Sequence, residues 1–244
     1  MPPREPRTPL YGGPSSGRST SGVVELTKVS VSVDRTPVLR DLSLTVAAGE
    51  AVGVLGPNGS GKSTLLRVLA TLLSPVAGSG HVLGAPLGSR EVEGVRPAIA
   101  LVGHAAALYP RLTLAENVQF FCRLTGRSPE AADAALDAVG LGGAAGRPAE
   151  RCSHGMLRRA ELARVIVARP RLLLLDEAHA GLDRASAALV DVVVSEVRQR
   201  GGGSVVVSHE ADRLWQTVDR VVEFDDGALR PADRPLHQPE RVPR

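Results

Sequence analysis

The sequence has little of several residue types, and each shortage excludes a class of protein. Aromatic residues make up 2% of the 244 residues, so stacking platforms for single-stranded nucleic acid are nearly absent. The two cysteines, Cys122 and Cys152, lack C-x-x-C spacing and are expected to be reduced thiols. No apolar run approaches the roughly 18 residues of a membrane-spanning helix. The N-terminal segment is rich in Pro, Gly, Ser and Arg, which argues against a secretory signal. We therefore expect a cytoplasmic protein that does not bind nucleic acid.

Lysine is also scarce, and its placement is informative. The chain has 29 basic residues, of which two are lysines, Lys28 and Lys62. Lys62 belongs to a stretch that matches the phosphate-binding loop G-x-x-x-x-G-K-[ST]. An ammonium is compact enough to sit between two phosphates, whereas a planar guanidinium is bulkier. We therefore predict a nucleotide-phosphate site made by Gly56, Pro57, Asn58, Gly59, Ser60, Gly61, Lys62, Ser63 and Thr64.

The hydrophobic pattern predicts an α/β fold with a largely parallel sheet. Residues 51–55 form a buried strand before the loop, and residues 62–73 form the helix after it. The run of four leucines at 172–175 does not alternate, as expected for a central parallel strand covered on both faces. Residues 112–159 predict an inserted helical subdomain. We expect a disordered tail at 1–22, a folded domain at 23–230 and a proline-rich tail at 231–244.

Polar residues follow two of the predicted strands. Asp176 and Glu177 follow the leucine strand, and His209 ends the strand at 204–207. A carboxylate beside a phosphate loop can hold magnesium together with the hydroxyl of Ser63, and its neighbour can activate a water molecule. We assign Asp176 and Ser63 to the metal, and Glu177 to the general base. Lys62 is assigned to the terminal phosphates, and His209 to the γ-phosphate or the attacking water.

One further motif points to a family. The stretch C-S-H-G-M-L-R-R at 152–159 resembles the signature motif L-S-G-G-Q-x-x-R of ATP-binding-cassette (ABC) proteins. Ser153 and Gly155 match this pattern, whereas Cys152, His154 and Met156 depart from it. Residues 180–183, ending in Asp183, are similar to the D-loop of the family. The signature stretch lies about 20 residues before Asp176. The resemblance as a whole covers residues 23–229.

The resemblance implies an architecture, cofactors and partners. It implies a P-loop NTPase with a RecA-like parallel-sheet core, an antiparallel β layer and the helical insertion. ATP and Mg²⁺ are the implied ligands. Two subunits are implied to sandwich ATP head to tail, so that Ser153, His154 and Gly155 complete the site of a second ATP-binding subunit, either a copy or a homologue. A polytopic permease would hold the chain at the cytoplasmic face of the cell membrane, and ATP hydrolysis would power transport, with export favoured over import.

Three positions depart from the family pattern inside the implied site. After the acidic pair, Ala178 and His179 stand where the family has a proline and a threonine. His104 stands where the family has the Q-loop glutamine, and residues 31–33 offer no aromatic ring to stack on adenine. The Gly103-His104 pair and the short chain look like the haem-exporter ATPase of cytochrome c biogenesis. The same departures support an alternative, a nucleotide-dependent interaction module with little or no hydrolysis. A soluble ABC ATPase of DNA repair or ribosomes is disfavoured, because the sequence has one cassette and no heptad run.

Overall fold

The computed structural model describes residues 22–177, 179, 182 and 184–233. The described strands, in chain order, are β1 (Val24–Val33), β2 (Thr36–Val46), β3 (Ala51–Leu55), β4 (Ala77–Val82), β5 (Ala85–Pro86), β6 (Ile99–Val102), β7 (Leu172–Asp176), β8 (Gly203–Val207), β9 (Arg220–Asp225) and β10 (Ala228–Pro231). The described α-helices are α1 (Lys62–Leu69), α2 (Val92–Val95), α3 (Leu114–Leu124), α4 (Glu130–Ala138), α5 (His154–Ala168), α6 (Arg184–Gln199) and α7 (Ala211–Thr217).

The larger sheet has six strands in the order β10-β9-β3-β8-β7-β6, and all neighbouring strands except β10 and β9 are parallel. Its central strands are buried on both faces, which explains the leucine run of β7. Leu172 and Leu174 pack in the apolar cluster that contains α1 and the antiparallel sheet. Leu173 and Leu175 pack in the cluster that contains α3 to α6. Alternate side chains therefore serve two cores, and every position of the strand must be apolar.

The smaller sheet is antiparallel, with four strands in the order β2-β1-β4-β5. Its first two strands form a hairpin around Asp34 and Arg35, which both have positive φ. This sheet covers β3 and α1 from one side, because residues of β1, β2, β3 and α1 share one apolar cluster. The antiparallel layer and the largely parallel core are thus confirmed.

Helices α3 and α4 and the start of α5 form the helical block that the sequence predicts. Asn117 in α3 is completely buried and organises the segment before it. Its side-chain oxygen accepts from the Tyr109 amide at 2.7 Å. Its amide nitrogen donates to the carbonyls of Tyr109, Leu112 and Thr113 at 3.1, 3.2 and 2.9 Å. One buried amide therefore satisfies the backbone of the loop that connects the core to this block.

Several element boundaries differ from the sequence predictions. Helix α1 ends at Leu69, four residues before the predicted end at 73. Strand β10 includes Pro231, which the sequence places in the C-terminal tail. Its backbone pairs with β9 at Val222, so pairing extends past the proline at the edge of the sheet. Residues 1–21 and 234–244, which hold nearly all of the two predicted tails, lie outside the described residues.

Candidate nucleotide-binding site

The predicted site residues meet at one edge of the six-stranded sheet. Strands β3, β8 and β7 are neighbours in that order, and the phosphate loop, His209 and the acidic pair follow their carboxyl ends. Parallel strands present these ends on the same side, which is where ligands bind in open α/β sheets. A cavity of about 460 Å³ lies there, lined by Val38, Asn58, Gly59, Gly61, Lys62, Ser63, Thr64, His104, Asp176, Glu177 and His209.

The phosphate loop wraps around the side chain of Lys62. Its Nζ donates to the carbonyls of Gly56 and Pro57, both at 2.7 Å, and the residue is 7% exposed. Gly61 immediately before α1 has φ 108°, and a Cβ there would lie 2.9 Å from Leu39 Cδ2. Glycine is therefore required both by the backbone conformation and by the space. The N-terminus of α1 faces the cavity, where its free amides favour an anion.

Ser63 and Asp176 form a direct contact between the loop and β7. The Ser63 hydroxyl donates to Asp176 Oδ2 at 2.9 Å. Both groups are hard oxygen donors, which Mg²⁺ prefers over nitrogen or sulfur. The donor set that the structure brings together therefore fits a magnesium ion beside the phosphates.

Glu177 and His209 form the second polar pair of the cavity. The carboxylate Oε2 of Glu177 lies 2.6 Å from His209 Nδ1, and the histidine side chain is 64% exposed. Glu177 has φ 52°, in the left-handed region that non-glycine residues rarely adopt. Its amide is bound to the Val207 carbonyl at 3.1 Å. Strained backbone of this kind is concentrated at functional sites.

The departures from the family pattern are visible in the cavity. His104 is exposed and lines it together with Asp176 and Glu177. Val31 is 1% exposed and packs in the core, so its side chain is unable to contact a bound base. The half-buried Val38 supplies an apolar surface beside the phosphate loop.

The signature residues are at the start of α5. Ser153 is the N-cap, and its hydroxyl accepts from the Met156 amide at 3.3 Å. The described residues that line the cavity do not include Ser153, His154 or Gly155. Asp183, the predicted D-loop residue, lies outside the described residues.

Sequence reasoning assigned no role to two buried polar residues next to the site. Arg158 is 4% exposed and donates to the backbone carbonyls of Asp176 and Glu177 at 2.6 and 2.9 Å. His179 is 3% exposed, and neither ring nitrogen has a hydrogen-bond partner among the residues that the structure describes. The sequence carries no signal for either role, because an arginine in an amphipathic helix normally faces solvent.

His179 makes the stability of the protein depend on pH. Burial lowers the pKa of His179 below its ordinary value, and the charge of Arg213 acts in the same direction. Below about pH 6.5 the unfolded chain therefore binds a proton at this residue that the folded protein excludes. The free energy of unfolding should fall on acidification, until the pH reaches the folded-state pKa.

We expect His179→Leu to remove this loss of folding stability at low pH. At pH 7.5 the variant should be about 1 kcal/mol more stable than the parent, because it removes two buried nitrogens that have no partner among the described residues. Urea unfolding at pH 7.5 and 5.5 measures the effect, and the advantage of the variant should grow toward pH 5.5 by up to about 1.4 kcal/mol per unit. An advantage of equal size at both pH values would show that His179 titrates alike in the folded and unfolded chains.

Comparison with known proteins agrees with this geometry. The profile of the ABC transporter family matches residues 39–180. The daunorubicin/doxorubicin resistance ATP-binding protein DrrA of Streptomyces peucetius is 38% identical over 88% of this chain, and the match spans 64% of that protein. The cytochrome c biogenesis ATP-binding export protein CcmA 2 of Cupriavidus metallidurans is 36% identical over 77% of this chain and 90% of its own length. CcmA of Rhodospirillum rubrum is 42% identical over 71% of this chain and 74% of its own.

Solved structures agree on the fold. A dimeric structure of the ATP-binding cassette MJ0796 in a post-hydrolysis state has a TM-score of 0.78 and 24% identity, covering 86% of this chain and 98% of that one. Within the described residues, no helix is long and apolar enough to cross a membrane. The matched profile, the relatives and the cavity lead to one conclusion: the chain belongs to the ABC transporter family, as an ATP-binding subunit with the ATPase fold.

Proposed function

We propose that this chain hydrolyses ATP with magnesium, as one of two ATP-binding subunits that power export through a separate polytopic permease. One observation supports the chemistry above all. A single cavity holds the phosphate-loop lysine, the Ser63–Asp176 contact and the Glu177–His209 pair. These are the groups that phosphoryl transfer needs for positioning, charge neutralisation and proton acceptance.

The phosphate loop binds the triphosphate in this proposal. Loop amides and the N-terminus of α1 donate to the β- and γ-phosphate oxygens. Lys62 lies in the middle of the loop, with its ammonium held by two loop carbonyls at 2.7 Å. A third N–H of the ammonium remains for a phosphate oxygen. Val38 provides the apolar surface nearest the loop for the rest of the nucleotide.

Ser63 and Asp176 would hold the magnesium ion. When bound, the ion neutralises negative charge on the β- and γ-phosphates. The contact between the two side chains at 2.9 Å places their oxygens side by side. This geometry makes Ser63 the group that ties metal binding to the phosphate loop.

Glu177 is the general base. The oxygen of a water molecule forms a bond to the γ-phosphorus while the bond to the β–γ bridging oxygen breaks, and ADP leaves. Glu177 accepts the proton of that water through its carboxylate. His209 donates from Nδ1 to Glu177 Oε2 at 2.6 Å and so holds the carboxylate in place. The exposed side of the imidazole can contact the γ-phosphate.

A second subunit completes the site in this proposal. The helix α5 has 15 residues and begins at His154, so its N-terminus offers an anion site. Ser153, His154 and Gly155 do not line the cavity of their own chain among the residues the structure describes. We infer that they meet the γ-phosphate bound by the other subunit, which is a copy or a homologue.

The names of the relatives support export as the direction of transport. CcmA proteins are named as ATP-binding export proteins, and DrrA as a resistance ATP-binding protein. We extend export to this chain, which would then work at the cytoplasmic face of the membrane while bound to its permease. The inferred cargo path belongs to the permease, since the cavity described here fits a nucleotide.

The proposal is tested on the tagged chain isolated from detergent-solubilised membranes of its own cells. We expect a polytopic subunit to co-purify, and ATP hydrolysis to stop on chelation with EDTA and return with added Mg²⁺. Hydrolysis without any polytopic partner would contradict the transporter role but not the ATPase role. ATP binding and pairing of the subunits without turnover would instead support the nucleotide-dependent interaction module.

A further inference from the structure

Three charged side chains are buried together on helix α5. Arg158 and Glu161 are 4% and 1% exposed, and Arg164 is 9% exposed. They are three residues apart and therefore lie on one face of the helix. Charged groups are rarely buried this deeply unless they are paired, because desolvation costs several kcal/mol for each ion. The groups that they bind show what the cluster holds in place.

Arg158 binds the backbone at the ends of two parallel strands. Its Nη2 donates to the carbonyls of Asp176 and Glu177 at 2.6 and 2.9 Å. Its Nη1 donates to the carbonyl of Gly103 at 2.8 Å. Gly103 follows β6 and precedes His104. One planar guanidinium therefore joins the acidic pair to the residue before His104, in a geometry that the flexible ammonium of lysine reproduces only in part.

Glu161 and Arg164 continue the same contacts toward the helical block. Glu161 Oε1 accepts from the Ala107 amide at 3.0 Å, and Oε2 lies 3.4 Å from Arg158 Nη1. Arg164 donates to the carbonyls of Leu101 and Ala107 at 3.1 and 3.4 Å. The segment 101–107 is thus bound at both ends by side chains of α5.

Arg164 also contacts the helical block directly. Its guanidinium lies 4.7 Å from the centre of the Phe121 ring on α3. This cation–π contact connects the cluster to the helix that follows the 103–113 loop. A movement of α3 relative to the sheet would therefore act on Arg164 and, through Glu161, on Arg158.

The contact with Arg158 stabilises an unusual backbone conformation of Glu177. Glu177 has φ 52°, which is unfavourable for a residue with a side chain. The carbonyl of this same residue is one of the three that Arg158 binds. Together with the Glu177 amide bond to Val207, the arginine fixes both sides of the strained residue. The direction of the carboxylate depends on that backbone conformation.

We propose that Arg158 is a positioning residue for ATP hydrolysis. It holds the Glu177 backbone in the left-handed conformation and sets the position of His104 through Gly103, while Glu161 and Arg164 connect both to α3. The inference rests on the proposed hydrolysis. In this proposal the acidic pair is held in place by side chains on the buried face of α5, in addition to its contact with the phosphate loop.

The first test is a split between kcat and KM. Arg158→Gln should lower kcat for ATP about tenfold or more, because a small displacement of a catalytic group has large effects. The KM for ATP should stay within about twofold, since the hydrogen bonds of Arg158 to described residues go to Gly103, Glu161 and the acidic pair and not to the phosphate loop. Arg158→Lys should recover part of the lost kcat. Thermal melting confirms that each variant is folded.

Arg198→Gln is the matched control. Arg198 on α6 also donates to a backbone carbonyl, that of Gly49 at 3.3 Å, and pairs with a carboxylate, that of Asp219. It should keep the parental kcat. Parental turnover in folded Arg158→Gln would overturn the proposal, and so would a parallel change of kcat and KM that the control shares. If Arg158→Gln does not fold, Glu161→Gln replaces it, with a loss of kcat of about threefold and an unchanged KM expected.

A second readout does not require turnover. Amide hydrogen exchange of Ala107 and Glu177 should be faster in Arg158→Gln than in the parent, because both amides are hydrogen-bonded and the backbone around them loses three hydrogen bonds to the arginine. Arg198→Gln should leave it unchanged. Equal protection in Arg158→Gln and the parent would overturn the proposal. If exchange is faster in Arg158→Gln but the parent itself hydrolyses no ATP, the proposed function is contradicted. The contact that holds the Glu177 backbone would still stand.

Discussion

Replacing Glu177 by glutamine should lower kcat for ATP hydrolysis about a thousandfold, within the range of general-base contributions. The amide keeps the shape of the side chain but is unable to accept the proton of the attacking water. Glu177 lies 2.6 Å from His209 and lines the cavity that holds Lys62. Binding of ATP should persist, because the phosphate loop is unchanged. Single-turnover hydrolysis and equilibrium ATP binding measure the two effects separately.

The same variant should accumulate as an ATP-bound dimer in size-exclusion chromatography, since the step that separates the subunits is blocked. Glu196→Gln is the control, because Glu196 is a half-buried acidic residue of α6 that pairs with Arg200. It should match the parent in turnover and in size. Hydrolysis by Glu177→Gln at the parental rate would refute the base assignment. A strictly monomeric ATP-bound form would refute the role of Ser153 in a second subunit.

Removing the ammonium of Lys62 should cause the second large loss of ATP hydrolysis. Lys62→Ala should lower kcat/KM for ATP about a hundredfold or more, because the proposed charge-assisted contact to the terminal phosphates would be lost. Lys62→Arg should fail as well. The lysine is 7% exposed, with Nζ at 2.7 Å from two loop carbonyls, so a broader guanidinium has no room.

Lys28→Ala is the natural control for this pair, since Lys28 is the other lysine of the chain and is exposed on β1. It should bind and hydrolyse ATP like the parent. Circular dichroism and melting separate a lost phosphate contact from a loosened loop, because Lys62 also binds the loop itself. A Lys62→Arg variant with parental activity would contradict the size argument, even if Lys62→Ala were inactive.

The strands of the core differ in how well their sequences predict them. Strand β7 has four leucines and is buried on both faces, so its sequence and its environment agree. Strand β4 has the sequence A-G-S-G-H-V, with two glycines and little apolar pattern. It forms because β1 offers a partner for its backbone, and the sequence analysis did not predict it. The sequence analysis also did not predict β6, β9 and β10, of which β6 and β10 have only four residues each.

The residues of the site also differ in how well the sequence predicts them. Asp176, Glu177 and His209 could be predicted, because polar residues directly after apolar strands stand out against the pattern. Arg158 and His179 could not, because the sequence does not tell which face of α5 is covered or that His179 is enclosed. His104 was predicted from the resemblance to the family, as the residue at the Q-loop position, and the structure places it at the cavity. Its role there stays a prediction.

Local sequence determined the phosphate loop, its glycines and its lysine, because a left-handed glycine and a helix start depend on a few neighbouring residues. Tertiary structure decided that β8 lies between β3 and β7, and so that His209 meets Glu177. It also decided that Arg158 is buried against the acidic pair rather than solvated. Strand order and burial arise from contacts between residues far apart in the chain, which no short stretch of sequence contains.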